Sequence, residues 1–270
     1  AMAMIECIGQ FRSGSKHLVC LLPSAQQGSS ARANPVFHRW SWANDLQNTH
    51  VLCFSDPGLY YSPLHAAWFS SPSPLDVIES MADFIKEIAD RLEIPTDHIM
   101  LYGSSMGGFG ALMLGGHLSG SMVIAEVPQI DLRKYAVASA ISSLEHHYFS
   151  NQSIADYYEI NRHRINVMDR FLLTGQVPCI KIITNAADAA HEEHSIFIQH
   201  LNERRSEFKQ FGDLAIVHRS DLIGHKPLST STALGYIQAA MLEGWSHSTN
   251  NSASGAPLAI SPVNSRYRTL

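Results

Sequence analysis

Charge of either sign is scarce in this chain. Only 16% of its 270 residues are Asp, Glu, Lys or Arg, and the balance is −5 at pH 7. A dedicated nucleic-acid binder carries a basic face, so that class is set aside. Cysteine is rarer still. The four, Cys7, Cys20, Cys53 and Cys179, form no C-x-x-C, and three lie in apolar strand-like runs where a free thiol packs as a small hydrophobe. That usage reads as a reduced, cytoplasmic protein rather than a disulfide framework. No apolar run approaches the ~18 residues of a membrane-spanning helix, so no membrane partner is expected. No charged segment followed by an apolar one opens the chain, and Ala1-Met2-Ala3 reads as an added lead ahead of Met4. Neither G-x-x-x-x-G-K-S/T nor a G-x-G-x-x-G placed after a strand is present, so no nucleotide cofactor is expected. Apolar residues, by contrast, make up 45% of the chain, enough to bury the core of one α/β domain with an insertion.

Short apolar runs alternate with helical patterns, which predicts a mostly parallel sheet covered by helices on both faces. Strands are expected at 17–22, 51–54, 98–102, 121–127, 179–184 and 214–218, with an antiparallel edge strand or hairpin in 4–12. Ser73-Pro74-Leu75-Asp76 reads as a helix cap, followed by Val77, Ile78, Met81, Phe84, Ile85, Ile88 and Leu92 at helical spacing. Further helices are expected over 190–208 and 229–245. Residues 130–178 interrupt the alternation with helical fragments at 135–147 and 154–171, and read as a cap over a site. The domain is therefore drawn as 4–245 with 130–178 inserted, and 246–270, rich in Ser, Asn and Pro, as a mobile tail.

The most informative segment is Gly103-Ser104-Ser105-Met106-Gly107, a G-x-S-x-G between a buried strand and a small-residue helix. A nucleophilic serine needs a tight turn that projects its hydroxyl from the end of the sheet. Glycines two before and two after remove the Cβ atoms that would collide there. The amide of Met106, opening the helix, would then face an oxygen that becomes anionic beside Ser105. The hydroxyl requires a base, and the base an orienting carboxylate. Asp188 follows the 179–184 strand and His225 the 214–218 strand, so both fall with Ser105 on the carboxyl edge of a parallel sheet. Glu126, Asp131 and Asp221 compete for the acid, and His218 for the base.

Other residues have simpler expectations. His191-Glu192-Glu193-His194 spaces its histidines three apart, where a helical H-E-x-x-H needs four, so a solvated helix face is expected and no metal. The aromatic loop 59–69 offers Tyr60, Tyr61 and Trp68 either as packing or as a wall on which a ring could stack. Arg133, Lys134, Arg162, His163 and Arg164 make the insertion too polar for a long-chain lipase.

With its order of serine, acid and histidine, the chain resembles the α/β-hydrolase superfamily over residues 16–245. Phe54-Ser55-Asp56-Pro57-Gly58 is similar to the family's D-x-P-G-type loop, and Gly224-His225 to its histidine position. The resemblance implies a Ser105–Asp188–His225 triad and a helical cap after the strand that follows the nucleophile helix. Where many members carry His-Gly in the oxyanion loop, this chain has Pro23-Ser24, and proline has no amide proton. The second oxyanion donor then falls to Ser24 or Ala25, with Ala25 preferred. The expected function is hydrolysis of a small-molecule or glycan carboxylic ester through an acyl-enzyme, with no cofactor. Two alternatives stand beside it. One is transfer of the acyl group to a carbohydrate or other alcohol, since Gly103–Leu112 is similar to proteins of bacterial surface-glycan modification. The other is a non-catalytic binding protein on the same fold.

Overall fold

The computed structural model describes residues 4–26, 35–60, 64–221, 224–243 and 247–249. Its strands are β1 (Cys7–Gln10), β2 (Leu18–Leu21), β3 (His50–Phe54), β4 (Ile99–Ser104), β5 (Met122–Glu126), β6 (Gln176–Val177), β7 (Cys179–Thr184), β8 (Gln210–Gly212), β9 (Leu214–His218) and β10 (His247–Thr249). Its α-helices are α1 (Val77–Arg91), α2 (Met106–Gly115), α3 (Ala138–His147), α4 (Ile154–Ile165), α5 (Val167–Thr174), α6 (His191–Glu203) and α7 (Thr230–Glu243).

Seven strands form one sheet in the order β1-β3-β2-β4-β5-β7-β9. Only β1 runs antiparallel, pairing Cys7 with Phe54 and Gln10 with Val51 at the edge; every other neighbour is parallel. Parallel strands covered on both faces read as unbroken apolar runs, and β2, β3, β4 and β5 are buried throughout. On one face Cys20, Leu52, Leu101 and Val123 meet Ile78, Met81 and Ile85 of α1 and the apolar residues of α2. On the other, Val19, Val51, Met100 and Ile124 meet Ala233, Ile237 and Ala240 of α7. Every residue of α2 is buried, so this helix has no polar face to present and its small residues let it sit close to the sheet.

The elements differ from the sequence expectation at identifiable places. Helix α1 begins at Val77, capped by Asp76 accepting from the Glu79 amide at 3.2 Å, and not at Ser73. The Ser71 hydroxyl donates to the Leu75 carbonyl and closes a separate turn before the helix. The expected 154–171 helix is two, α4 and α5, because Asn166 leaves the helical region and accepts from the Asp169 amide at 3.1 Å. Asparagine favours that capping position over a helix interior. Helices α4 and α5 are held to the α1 side of the sheet. Arg170, 1% exposed, pairs with Asp76 at 2.8 Å, and Arg164 donates to the Ser71 carbonyl at 2.9 Å. Of the segment read as a mobile tail, 247–249 form β10, which pairs antiparallel with β8 in a small sheet with β6. The remainder of 246–270 lies outside the described residues. None of the four cysteines is in a disulfide, and no helix among the described residues is long and apolar enough to cross a membrane.

Candidate active site

Ser105 stands between β4 and α2 with φ 54° and ψ −122°. That conformation costs a non-glycine residue of order 1–3 kcal/mol and persists only where the surroundings impose it. Here they do. The Ser105 amide donates to the Glu126 carbonyl of β5 at 2.8 Å, and the Ser105 carbonyl accepts from the Phe109 amide at 3.0 Å. A Cβ on Gly103 would overlap the backbone carbonyl group of Gly107, and one on Gly107 would lie 2.7 Å from the Pro23 carbonyl oxygen. Strand β4 and helix α2 therefore close on one another only because Gly103 has no Cβ, and the loop after β2 reaches α2 only because Gly107 has none.

From the next strand ends come the two partners that the sequence placed on this edge. His225 Nε2 lies 2.7 Å from Ser105 Oγ, and its Nδ1 lies 2.6 Å from Asp188 Oδ2. Asp188 is buried, and its other oxygen accepts from the Ala190 amide at 2.8 Å. Burial alone would raise its pKa, but the hydrogen bonds from His225 and Ala190 hold the carboxyl below the ordinary value. An ionised Asp188 accepts a hydrogen bond from His225 Nδ1–H, which leaves Nε2 as the acceptor for the serine hydroxyl. Asn185, fully buried, fastens the two loops: its side-chain NH2 donates to the Gly224 carbonyl at 2.8 Å while its oxygen accepts from the Ala187 amide at 3.1 Å.

The competing acids and base are otherwise engaged. Glu126 is fully buried beneath the site. It accepts from the Tyr102 hydroxyl at 3.0 Å and from the Leu228 amide, with Arg219 at 3.3 Å. Burial pushes its carboxyl up against those partners. Asp131 is bound by Arg133 at 2.5 Å, and Asp221 by Arg219. His218 packs its ring against His191. His194 does not lie on a solvated face as expected: it is fully buried, bridging Thr184 Oγ1 at 2.8 Å and the Pro128 carbonyl at 2.7 Å. It ties α6 to the loop after β5. No group of three metal-ligating side chains occurs among the described residues.

Around the oxyanion loop, the Ser24 amide is taken by His38 Nδ1 at 3.1 Å and the Gln26 amide by the His65 carbonyl at 2.8 Å. The amide between them, on Ala25, has no partner among the described residues, and neither does that of Met106 at the start of α2. Burial and the nearby Arg39 charge lower the His38 pKa, keeping the ring neutral and able to accept. Arg39, itself left-handed at φ 67°, donates to the Leu22 carbonyl at 3.0 Å, Ser24 Oγ at 3.0 Å and Ser104 Oγ at 2.6 Å. One guanidinium thus joins the loop after β2 to Ser104, the residue before Ser105. Nothing in the sequence marks Arg39, because a basic residue in an irregular segment carries no periodic signal.

The aromatic loop separates into different roles. Tyr60 is half-buried and its hydroxyl donates to Glu6. Tyr61 lies outside the described residues. Trp68 is 2% exposed and meets Tyr135 edge-on at 5.0 Å, so its ring is packed and offers no open stacking face. Its indole N–H donates to Gln129 Oε1 at 3.0 Å, and Gln129 Nε2 donates to Ser105 Oγ at 3.2 Å. Gln129 went unread in the sequence, although a polar residue just past the carboxyl end of a central strand occupies a position from which it can reach the edge. Beside it opens a cavity of about 510 Å³, bordered by Tyr135, Val137, Glu192, Ile196, Asp188 and His225.

No family model matches the chain, and no curated protein sequence matches it. Solved structures do resemble it. The capsule O-acetyltransferase of Neisseria meningitidis serogroup A superposes with a TM-score of 0.60 at 17% identity, covering 87% of this chain and 91% of the other. A fluorophosphonate-binding serine hydrolase of Staphylococcus aureus gives 0.54 at 13% identity, with coverages of 88% and 98%. The acetyl ester-xyloside bifunctional hydrolase of Caldicellulosiruptor lactoaceticus gives 0.52 at 14%, with coverages of 88% and 85%. At these identities the likeness is one of fold.

Proposed function

We propose that this chain, an α/β-hydrolase by fold, is a serine esterase that cleaves a carboxylic ester through an acyl-enzyme. One observation carries the reading: Ser105, His225 and Asp188 form a continuous hydrogen-bonded line of 2.7 and 2.6 Å from a strained turn to a buried carboxylate. In the first half-reaction Ser105 Oγ bonds to the carbonyl carbon while its proton passes to His225 Nε2. Asp188 stabilises the imidazolium and holds its tautomer. The carbonyl oxygen, now anionic, is received by the amides of Met106 and Ala25. Collapse breaks the bond to the alcohol oxygen, which takes the proton from His225. Water then repeats the sequence on the acyl group, returning the proton to Ser105 Oγ and releasing the acid. Pro23 offers the loop no amide proton, and the unpartnered Ala25 amide supports the catalytic reading over the binding-protein alternative.

The role of Asp188 is tested by Asp188→Asn, which keeps the shape but presents an NH2 to His225 Nδ1. Turnover of p-nitrophenyl acetate is expected to fall about 10⁴-fold at unchanged fold, the scale seen when a triad imidazole is left in the wrong tautomer. A loss within tenfold would remove Asp188 from the mechanism.

A second reading, transfer of the acyl group to a carbohydrate or other alcohol, is supported by the likeness to the capsule O-acetyltransferase. The polar border of the cavity, with Lys134, Glu192 and Glu193 among its residues, is compatible with a hydroxylated acceptor. The substrate is a small-molecule or glycan ester in either case. Incubation with an acetyl donor and a panel of mono- and disaccharides separates the two by product. Free acetate that is unchanged by any sugar supports hydrolysis, and an acetylated sugar formed at the expense of acetate supports transfer.

A further inference from the structure

Gln129 occupies a place that the esterase reading does not use. Its amide orientation follows from chemistry, because an indole N–H is a donor only. With Trp68 Nε1 at 3.0 Å from Gln129 Oε1, the carboxamide NH2 must be the end that faces Ser105 Oγ, at 3.2 Å. The tryptophan is itself fixed. Asp56, fully buried, accepts from the Gly58 amide at 2.8 Å and the Phe69 amide at 3.2 Å, pinning the loop on which Trp68 and Phe69 take φ of 47° and 56°. Gln129 is 5% exposed, so the chain from Asp56 to the serine is largely screened from water.

The nucleophile oxygen therefore holds two hydrogen bonds of different sense. It donates to His225 Nε2 and accepts from Gln129 Nε2. The value of the second bond changes along the reaction. In the free enzyme Oγ is a hydroxyl oxygen and a good acceptor, and it gains only modestly as it attacks. In the acyl-enzyme Oγ is an ester oxygen whose lone pair is delocalised into the carbonyl, a poor acceptor. Attack by water removes that delocalisation, and departure of Oγ from carbon loads it with charge until His225 returns the proton. A donor that binds the transition state better than the ground state accelerates the step in question. By that criterion the Gln129 amide acts mainly on deacylation.

Resting on the acyl-enzyme reading, we infer that Gln129 is a catalytic donor to the serine oxygen as leaving group, with Trp68 as its positioning residue, and that the pair sets how long the acyl group stays on Ser105. It thereby bears on whether water alone or a slower alcohol acceptor can collect that group.

Stopped-flow turnover of p-nitrophenyl acetate resolves the burst of acylation from the steady state of deacylation. Gln129→Met keeps the volume and removes the donor. Its deacylation rate constant is expected to fall about tenfold or more, and its acylation rate constant less than about threefold, as for loss of a charge-assisted hydrogen bond in one step only. Acetylated protein then accumulates in the steady state, visible by intact mass. Trp68→Phe retains Gln129 but frees its carbonyl, and is expected to move the same ratio in the same direction by less. It supplies the test if Gln129→Met does not fold. Equal losses in both steps would make Gln129 a mere brace for the serine rotamer and overturn the inference, as would no change in either. A wild type that neither turns the ester over nor takes a fluorophosphonate on Ser105 would overturn the acyl-enzyme reading together with this one. A wild type that acylates beside a variant of unchanged ratio overturns this one alone.

Discussion

Ser105→Ala and His225→Ala are each expected to reduce ester turnover by about a millionfold, and the double variant to be no worse than either alone. Serine and imidazole act as a unit. Without His225 the hydroxyl keeps its proton at neutral pH, and without Ser105 the imidazole has no nucleophile to activate. Removing the second member therefore costs nothing further. What survives belongs to the amides of Met106 and Ala25 and to the cavity, which still bind a carbonyl as it becomes tetrahedral. The alternative of two independent contributions predicts losses that multiply. Steady-state rates for the two single variants and the double, measured on one activated ester, separate these outcomes. Single losses below a hundredfold would show that the 2.7 Å contact between His225 and Ser105 is structural.

Gly103→Ala is expected to destabilise the protein by about 3 kcal/mol or more, with soluble yield falling accordingly. The added Cβ meets the carbonyl group of Gly107, which is backbone and cannot rotate away. Relief requires moving α2 off β4, and α2 packs its whole surface in the core. Moving it would also pull the Met106 amide away from Ser105, where the esterase reading needs it. Equilibrium denaturation, read beside residual turnover, checks both consequences. By contrast Gly235→Ala, with nothing within 4 Å of the new Cβ, is expected to be neutral or slightly stabilising as a helix substitution. If the two alanines behave alike, the close crossing of strand and helix is not what requires glycine at Gly103.

The edge of the sheet was legible in the sequence because two local signals coincide there. Apolar runs mark the buried strands β4 and β7 and the half-exposed edge strand β9, and each of the three site residues lies shortly after one. Parallel topology then brings Ser105, Asp188 and His225 to the same edge without any knowledge of distances. The supporting residues were illegible for the opposite reason. Gln129 reaches Ser105 across 24 positions and Trp68 reaches Gln129 across 61. Neither pairing has a period, and only the finished register brings them together. For Trp68 the sequence leaves packing and a stacking wall both open, because aromatic density in a loop looks the same whether the ring faces solvent or the core, and the structure packs it. Arg39 and His38, which hold the loop after β2, sit in an irregular stretch where pattern says nothing. The polar neighbours of His194 point to a solvated face and mask its contact to the Pro128 carbonyl, 66 positions away. The break between α4 and α5 was there to be seen in Asn166, a residue that caps helices more readily than it continues them.

The most direct test of an activated serine is the intact mass of the protein after exposure to a fluorophosphonate, with Ser105→Ala treated alongside. A single adduct on the wild type that is absent from the variant is the predicted result, because phosphonylation needs the oxygen of Ser105 to be deprotonated by His225 and the developing phosphoryl charge to be held by the Met106 and Ala25 amides. An unmodified wild type, shown to be folded, would contradict the account and make Ser105 a turn residue in a protein that binds its ligand without turning it over.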